Sequence, residues 1–137
     1  MTKEIISSYS QERYLLDTHV VLWLAGDSNK LSEKAKAIVT SNSLRYISIA
    51  SAWEVAIKLN TGKLQLEGGL ETFYQIVASH NIQIIGARKA HLHIIENLEL
   101  IHGDPFDRLI VATAQSQELV LVTIDKNIHK YRVKWSW

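Results

Sequence analysis

The chain has 137 residues, enough for one domain with a real core. Its 47 % apolar and 21 % charged residues, and its net charge of +1, exclude a global field that draws in nucleic acid, so any basic surface is local. The absence of cysteine excludes disulfides and thiolate metal sites. VVLWLA is too short to span a bilayer and MTKEIISSYSQERY too polar for a signal peptide, so the expectation is a cytoplasmic protein with a loose extension over residues 1–12.

No internal repeat or low-complexity segment appears, and strand and helix signals alternate along the chain. Tyr14 to Leu16 reads as a short apolar strand closed by Asp17, and Thr18 to Ala25 as a helix. A helix around Ser32 to Thr40 follows, then the strand RYISI, Arg45 to Ile49. Ala50 to Asn60 is a predicted helix ended by Thr61-Gly62, and Gly69 to Ser79 another. IQIIG, Ile82 to Gly86, is a β-branched strand, followed by helical sequence from Ala87 to about Asn97. Pro105 to Glu118 is the clearest helix, and LVLVTID, Leu119 to Asp125, the clearest strand. The tail YRVKWSW alternates and suits a last strand at the sheet edge. Near-continuous apolar strands alternating with helices predict an α/β protein: a single-domain, three-layer α/β/α arrangement with a central, mostly parallel sheet. In such sheets the ligand crevice lies beyond the carboxyl ends of the strands.

That rule gives the acidic residues a place. Asp17 closes the first strand, Glu54 follows the second, and Asp125 closes the fourth, while Asp104 and Asp107 open the long helix. Each has an ordinary explanation. Asp17 suits an N-cap, and Ser51-Ala-Trp-Glu54 fits a capping box with Glu54 reaching back to Ser51. Asp104-Pro105 is a cap followed by proline at the first helical position, and Asp107 is a first-turn acid favoured by the helix dipole.

Capping does not explain why most of these acids fall on one edge of one sheet. Carboxylates about 5 Å apart repel by roughly 3 kcal/mol per pair at an effective dielectric near 20. Several converging acids are therefore costly, or raise their own pKa values, unless a cation sits among them. All-oxygen donors select a hard ion, Mg²⁺ or Mn²⁺. Zinc fits poorly, since His91 and His93 lie two apart on a helix and point to different sides. His102 lies near the cluster, where the sequence favours a solvated loop histidine.

Four segments, LLDTHVVLWL (Leu15 to Leu24), SIASAWEVAIKLNTGKL (Ser48 to Leu64), HGDPFDRLIVATA (His102 to Ala114) and LVTIDKNI (Leu121 to Ile128), together resemble the PIN domain family. Within that family the chain looks most like the toxin ribonucleases of VapBC-type toxin–antitoxin pairs. Each motif is weakly specific alone, but the four run in family order and span the chain from about Leu15 to Asp125. The resemblance implies a PIN-like nuclease domain over residues 13–137. It makes Asp17, Glu54, Asp107 and Asp125 the metal-binding catalytic acids, with Asp104 a metal ligand or a support. Thr18 and Thr123 become hydroxyls beside the cluster, or satisfy backbone groups. The polar stretch before Arg13 departs from the commonest toxin form, which begins almost at the first strand.

The implied activity is a metal-dependent endoribonuclease. One or two Mg²⁺ or Mn²⁺ ions hold the scissile phosphate and acidify a water that attacks phosphorus in line. By family analogy the products carry a 5′-phosphate and a 3′-hydroxyl. An antitoxin partner and a homodimer are implied by resemblance alone. Lys58, Lys63, Arg108 and Lys126 are candidate RNA contacts, with the run to Lys134 interleaved with Tyr131 and Trp135. For each of these the sequence favours a solvated charge or a lysine-protected edge. Trp23 and Trp53 read as core or dimer interface.

Other readings compete with the toxin. An aspartate-nucleophile phosphatase also ends its first strand in aspartate but normally shows D-x-D, where this chain has Asp17-Thr18-His19. A housekeeping PIN nuclease lacks an antitoxin, and a catalytically silent binding module is expected to have lost an acid.

Overall fold

The computed structural model describes residues 12–137, so the extension expected over residues 1–12 lies outside the described residues except for Glu12. Five strands, β1 (Arg13–Leu16), β2 (Leu44–Ser48), β3 (Gln83–Ile85), β4 (Val120–Val122) and β5 (Trp135–Ser136), form one sheet in the order β3-β2-β1-β4-β5. Every pairing is parallel, with Leu16 opposite both Ile47 and Val122. Six helices surround it: α1 (Thr18–Gly26), α2 (Glu33–Val39), α3 (Ile49–Asn60), α4 (Gly69–Ser79), α5 (Lys89–Glu96) and α6 (Pro105–Gln117). Among the described residues no helix is long and apolar enough to cross a membrane.

Successive strand residues point to opposite faces, and the core divides accordingly. Leu16, Ile47 and Val122 pack with Val20, Val21, Ala35, Val55, Phe73 and Val77 from α1 to α4. Their chain neighbours Leu15 and Leu121 pack on the other face against Ile110, Val111 and Ala114 of α6, with Ile85, Leu98, Ile128 and Tyr131. α3 sends Ala52 and Val55 to the first face and Ala50 to the second. Both sides of the sheet are thus covered. This is why the central strands read as continuous apolar runs rather than alternating ones.

Local signals set the helix starts. Ser32 Oγ accepts the N–H of Ala35, and Ser48 Oγ accepts that of Ala50. α6 begins with proline at its first position, and Asp104 Oδ1 accepts the N–H of Phe106 at 2.8 Å. Its end is also explicit: Glu118 takes the left-handed conformation at φ 54° and stops the helix one residue before the expected boundary.

The expected capping box is corrected. α3 starts at Ile49 under a Ser48 cap, so Ser51 is already inside the helix and Glu54 lies in its second turn. β2 accordingly ends at Ser48 instead of Ile49. The tail is shorter in sheet than its alternation suggests: only Trp135–Ser136 pairs with β4, and Ile128–Lys130 forms a 3₁₀ turn.

Candidate active site

β1 lies at the centre of the sheet, and the acids gather where its carboxyl end meets those of its neighbours. Asp17 continues β1, its N–H donating to the Val122 carbonyl at 3.0 Å. Both its side-chain oxygens are engaged: Oδ1 accepts the Thr18 N–H and Oδ2 accepts the Thr123 hydroxyl, each at 2.7 Å. Thr18 then links Asp17 to α3, because its hydroxyl lies 2.7 Å from Ser51 Oγ and 3.0 Å from Glu54 Oε1. Glu54 Oε2 pairs with Lys58 Nζ at 3.0 Å. Having shed its capping role, Glu54 is free to face the sheet edge one helical turn after Ser51.

The second half of the cleft comes from the start of α6 and the turn after β4. Asp104 spends one oxygen on the helix cap, which fixes the first turn that carries Asp107. Thr123 accepts the Asp125 N–H at 3.0 Å while donating to Asp17, so one hydroxyl ties two acidic positions together. His102 sits between the remaining acids, with Nε2 3.3 Å from Asp107 Oδ2 and 3.6 Å from Asp125 Oδ2. The expectation of a solvated loop histidine is corrected, since this ring is only about one-fifth exposed and lines the cleft. Ligand atoms of His102, Asp107 and Asp125 lie within 4.8 Å of one another. Asp17 and Glu54 stand outside that compact group but border the same cleft.

The cleft has a volume of about 430 Å³ and is lined by all five predicted acids together with His19, Trp23 and Lys58. Its electrostatics carry the cost anticipated for converging carboxylates. Burial, then the charges of Asp17, Asp104, Glu54 and Asp125, push the Asp107 carboxyl up to about 8. Burial also raises Asp17 above its ordinary value, against the lowering effect of the hydrogen bonds from Thr123 and Thr18. A hard divalent cation fits this donor set: the oxygens are carboxylates, their charges are mutually unfavourable, and Lys58 is the one lysine or arginine among the lining residues.

A sequence model of the PIN domain matches residues 14–134. The chain belongs to the PIN domain family. Ribonuclease VapC22 of Mycobacterium tuberculosis is 29 % identical over 119 residues, covering 86 % of this chain and 91 % of that protein. The fold of this PIN domain is similar to that in the structure of VapBC2 from Rickettsia felis bound to a promoter DNA fragment, with a TM-score of 0.69 at 15 % identity over 90 % of this chain and 96 % of the other. FitAcB from Neisseria gonorrhoeae gives a TM-score of 0.61 at 19 % identity, covering 89 % and 95 % of the two chains.

The candidate RNA contacts on this PIN domain divide. Lys58 reaches the cleft but is paired with Glu54, and Lys63 lies with Lys58 and Trp23 in an adjoining groove of about 380 Å³. Arg108 is turned inward instead: its guanidinium donates to the carbonyls of Glu99, His102 and Leu98. Tyr131 is buried, so it offers no face for a base, and its hydroxyl accepts the His102 N–H at 2.8 Å. Lys126 is exposed and does not line the cleft. Trp135 is half exposed and stacks on His129.

The tryptophans also part company. Trp53 is 60 % exposed and meets Phe106 edge-on, which excludes a core role. Trp23 packs on the core edge beside Trp137 and borders both grooves. Sequence reasoning missed His19 and His102 as cleft-lining residues and Ser51 as the buried partner of Thr18 behind them. A serine one turn before Glu54 and a histidine two residues before the Asp104 cap were the available signals. His91 and His93 behave as expected, one buried against Thr113 and Gln117 and the other exposed beside Glu96.

Proposed function

We propose that this PIN domain is a metal-dependent endoribonuclease and the toxin of a toxin–antitoxin pair. The observation that carries the reading is the convergence of five acids in one cleft, with Asp107 held near pKa 8 by its neighbours. The likeness to a protein named as a ribonuclease supports RNA as the substrate.

Asp17, Glu54, Asp107 and Asp125 are the residues that would hold Mg²⁺ or Mn²⁺, with Asp104 supporting them through the α6 cap. Such a cation supplies charge neutralisation at the scissile phosphate and acidifies a water for attack on phosphorus. The protein's part is orientation. Thr123 fixes Asp17 and the chain entering Asp125, while Thr18 and Lys58 fix Glu54, so the carboxylates are held before substrate arrives. Asp107 must release its proton to serve as a ligand. Lys63, beside the cleft and not engaged by an acid among the ion pairs described, and Lys58 at its rim are the cations that meet RNA phosphates.

The test is cleavage of RNA and DNA by wild type, Asp17→Asn and Asp107→Asn, with Mg²⁺ or EDTA. RNA cleavage that needs Mg²⁺ and disappears in both folded variants is expected. Activity retained by the variants, or unaffected by EDTA, refutes the site. A folded wild type that cleaves nothing supports a silent binding module instead.

Partnership is part of the same proposal. Structures of similar fold include toxin–antitoxin complexes, which supports an antitoxin for this chain, and a short open reading frame beside its gene whose product co-purifies with it is the expected sign. For the homodimer, the support is the exposed apolar row Ile49, Trp53 and Ile57 along α3. Trp53→Glu should convert the dimer to monomer in sedimentation analysis, and an unchanged dimer rules out this face.

A further inference from the structure

His102 is fixed at its main chain and at its ring. Its N–H donates to the Tyr131 hydroxyl at 2.8 Å, and its carbonyl accepts from Arg108 Nη1 at 3.3 Å. Tyr131 is buried, and the same guanidinium is anchored on the carbonyls of Glu99 and Leu98. The Asp104 N–H donates to Nδ1 at 3.0 Å, which requires a lone pair there. The ring proton is therefore on Nε2, the nitrogen that lies 3.3 Å from Asp107 and 3.6 Å from Asp125. Neither contact is a well-formed hydrogen bond, so the N–H dipole faces two carboxyl groups carried by different elements. Three hydrogen bonds, two at the main chain and one at Nδ1, thus aim the Nε2 edge of the ring at the two acids.

We propose that His102 is a positioning residue whose Nε2–H, aimed by the Asp104 amide and the Tyr131–Arg108 clamp, holds Asp107 and Asp125 at the spacing that receives a divalent cation. The inference rests on the reading of the cleft as a cation site. Bearing a proton, Nε2 has no lone pair to offer, so the ring acts on the carboxylates and leaves their oxygens for the ion. Outer partners of this kind typically alter metal affinity by about 10–100-fold when removed. Arg108 and Tyr131 thereby gain a role of their own, since they carry the histidine.

Two measurements on the full chain test this. In ¹⁵N-labelled protein without metal, the imidazole signals that vanish in His102→Gln should report the neutral tautomer with its proton on Nε2; a proton on Nδ1 overturns the ring placement. By calorimetry, Mn²⁺ should bind His102→Ala about 10–100-fold more weakly than wild type. His102→Gln should recover most of that loss, because its amide also presents an N–H. Tyr131→Phe, which deletes only the clamping hydroxyl, should bind Mn²⁺ measurably more weakly with the cleft acids intact. Thermal melts establish that each variant is folded. Unchanged Mn²⁺ affinity in folded His102→Ala overturns the proposal, and if that variant does not fold, unchanged affinity in Tyr131→Phe does so. A wild type that binds no Mn²⁺ overturns the cation site itself and this role with it, an outcome distinct from equal binding by wild type and variant.

Discussion

Asp107→Asn should make the metal-free protein more stable, by an amount that depends on pH. An ordinary aspartate ionises near 3.8, whereas burial and four neighbouring acids push Asp107 to about 8. Between those values the folded chain holds one more proton than the unfolded chain, so stability falls as pH rises, by about 1.4 kcal/mol per pH unit. The contribution is intact below the lower value and fully lost above the higher one. At pH 7 the accumulated cost is about 4 kcal/mol if the whole displacement is felt, and about 2 kcal/mol if water in the open cleft screens half of it. Asparagine keeps the shape but never ionises, so it removes this cost. For a domain of this size the gain corresponds to a rise of roughly 5–15 °C in melting temperature. Melts of both proteins in EDTA at about pH 4.5, 6 and 7.5 read it directly, and the gap should widen with pH. A gap that is constant across that range, or a variant less stable at the highest pH, refutes the claim that the neighbouring acids suppress ionisation of Asp107.

The same proton makes cation binding pH-dependent: below about pH 8, Mn²⁺ affinity should rise about tenfold per pH unit with release of one proton, read by calorimetry in buffers of different ionisation enthalpy. Affinity that is flat between about pH 6 and 8 contradicts this. Arg108 and Lys63 should separate by assay. Arg108→Lys loses carbonyl contacts and should cost about 1–3 kcal/mol in a denaturant melt while leaving the salt dependence of RNA binding unchanged. Lys63→Glu should leave the melt within about 0.5 kcal/mol but weaken RNA binding and flatten its salt slope by about one phosphate contact. If the two phenotypes are exchanged, the assignments of these cations are reversed.

The sheet was readable in the sequence because both its faces are buried, which imposes uniform apolar strands that are visible in a single chain. The acids were readable because strand ends and helix starts are marked locally, by Asp17 after Leu16 and by Asp104-Pro105. What the sequence hid was decided by contacts distant along the chain. Ser51 fits a cap by local rules, but Ser48 takes that role and leaves Ser51 to meet Thr18, 33 residues earlier. His102 depends on Tyr131, 29 residues later, and no local pattern announces that partner. Arg108 followed an aspartate in a motif beside the cleft and suggested a phosphate contact, yet three carbonyls claim it. Tyr131 and Trp135 alternate with lysines alike, and only packing distinguishes the buried ring from the exposed one.

The central pairing of β1 with β4 joins residues more than one hundred positions apart, Leu16 with Val122, and Asp17 hangs on that seam through the Val122 carbonyl. Thr123, whose hydroxyl binds the Asp17 carboxylate, follows at once, and Asp125 is tied to the same hydroxyl. The cleft therefore has no early version. A chain still being synthesised holds its first acids on an unfinished sheet, with Asp125 not yet beside them. The order of the strands thus makes the cleft a late product of folding, complete only when β4 has paired with β1 and carried Thr123 and Asp125 to the earlier acids.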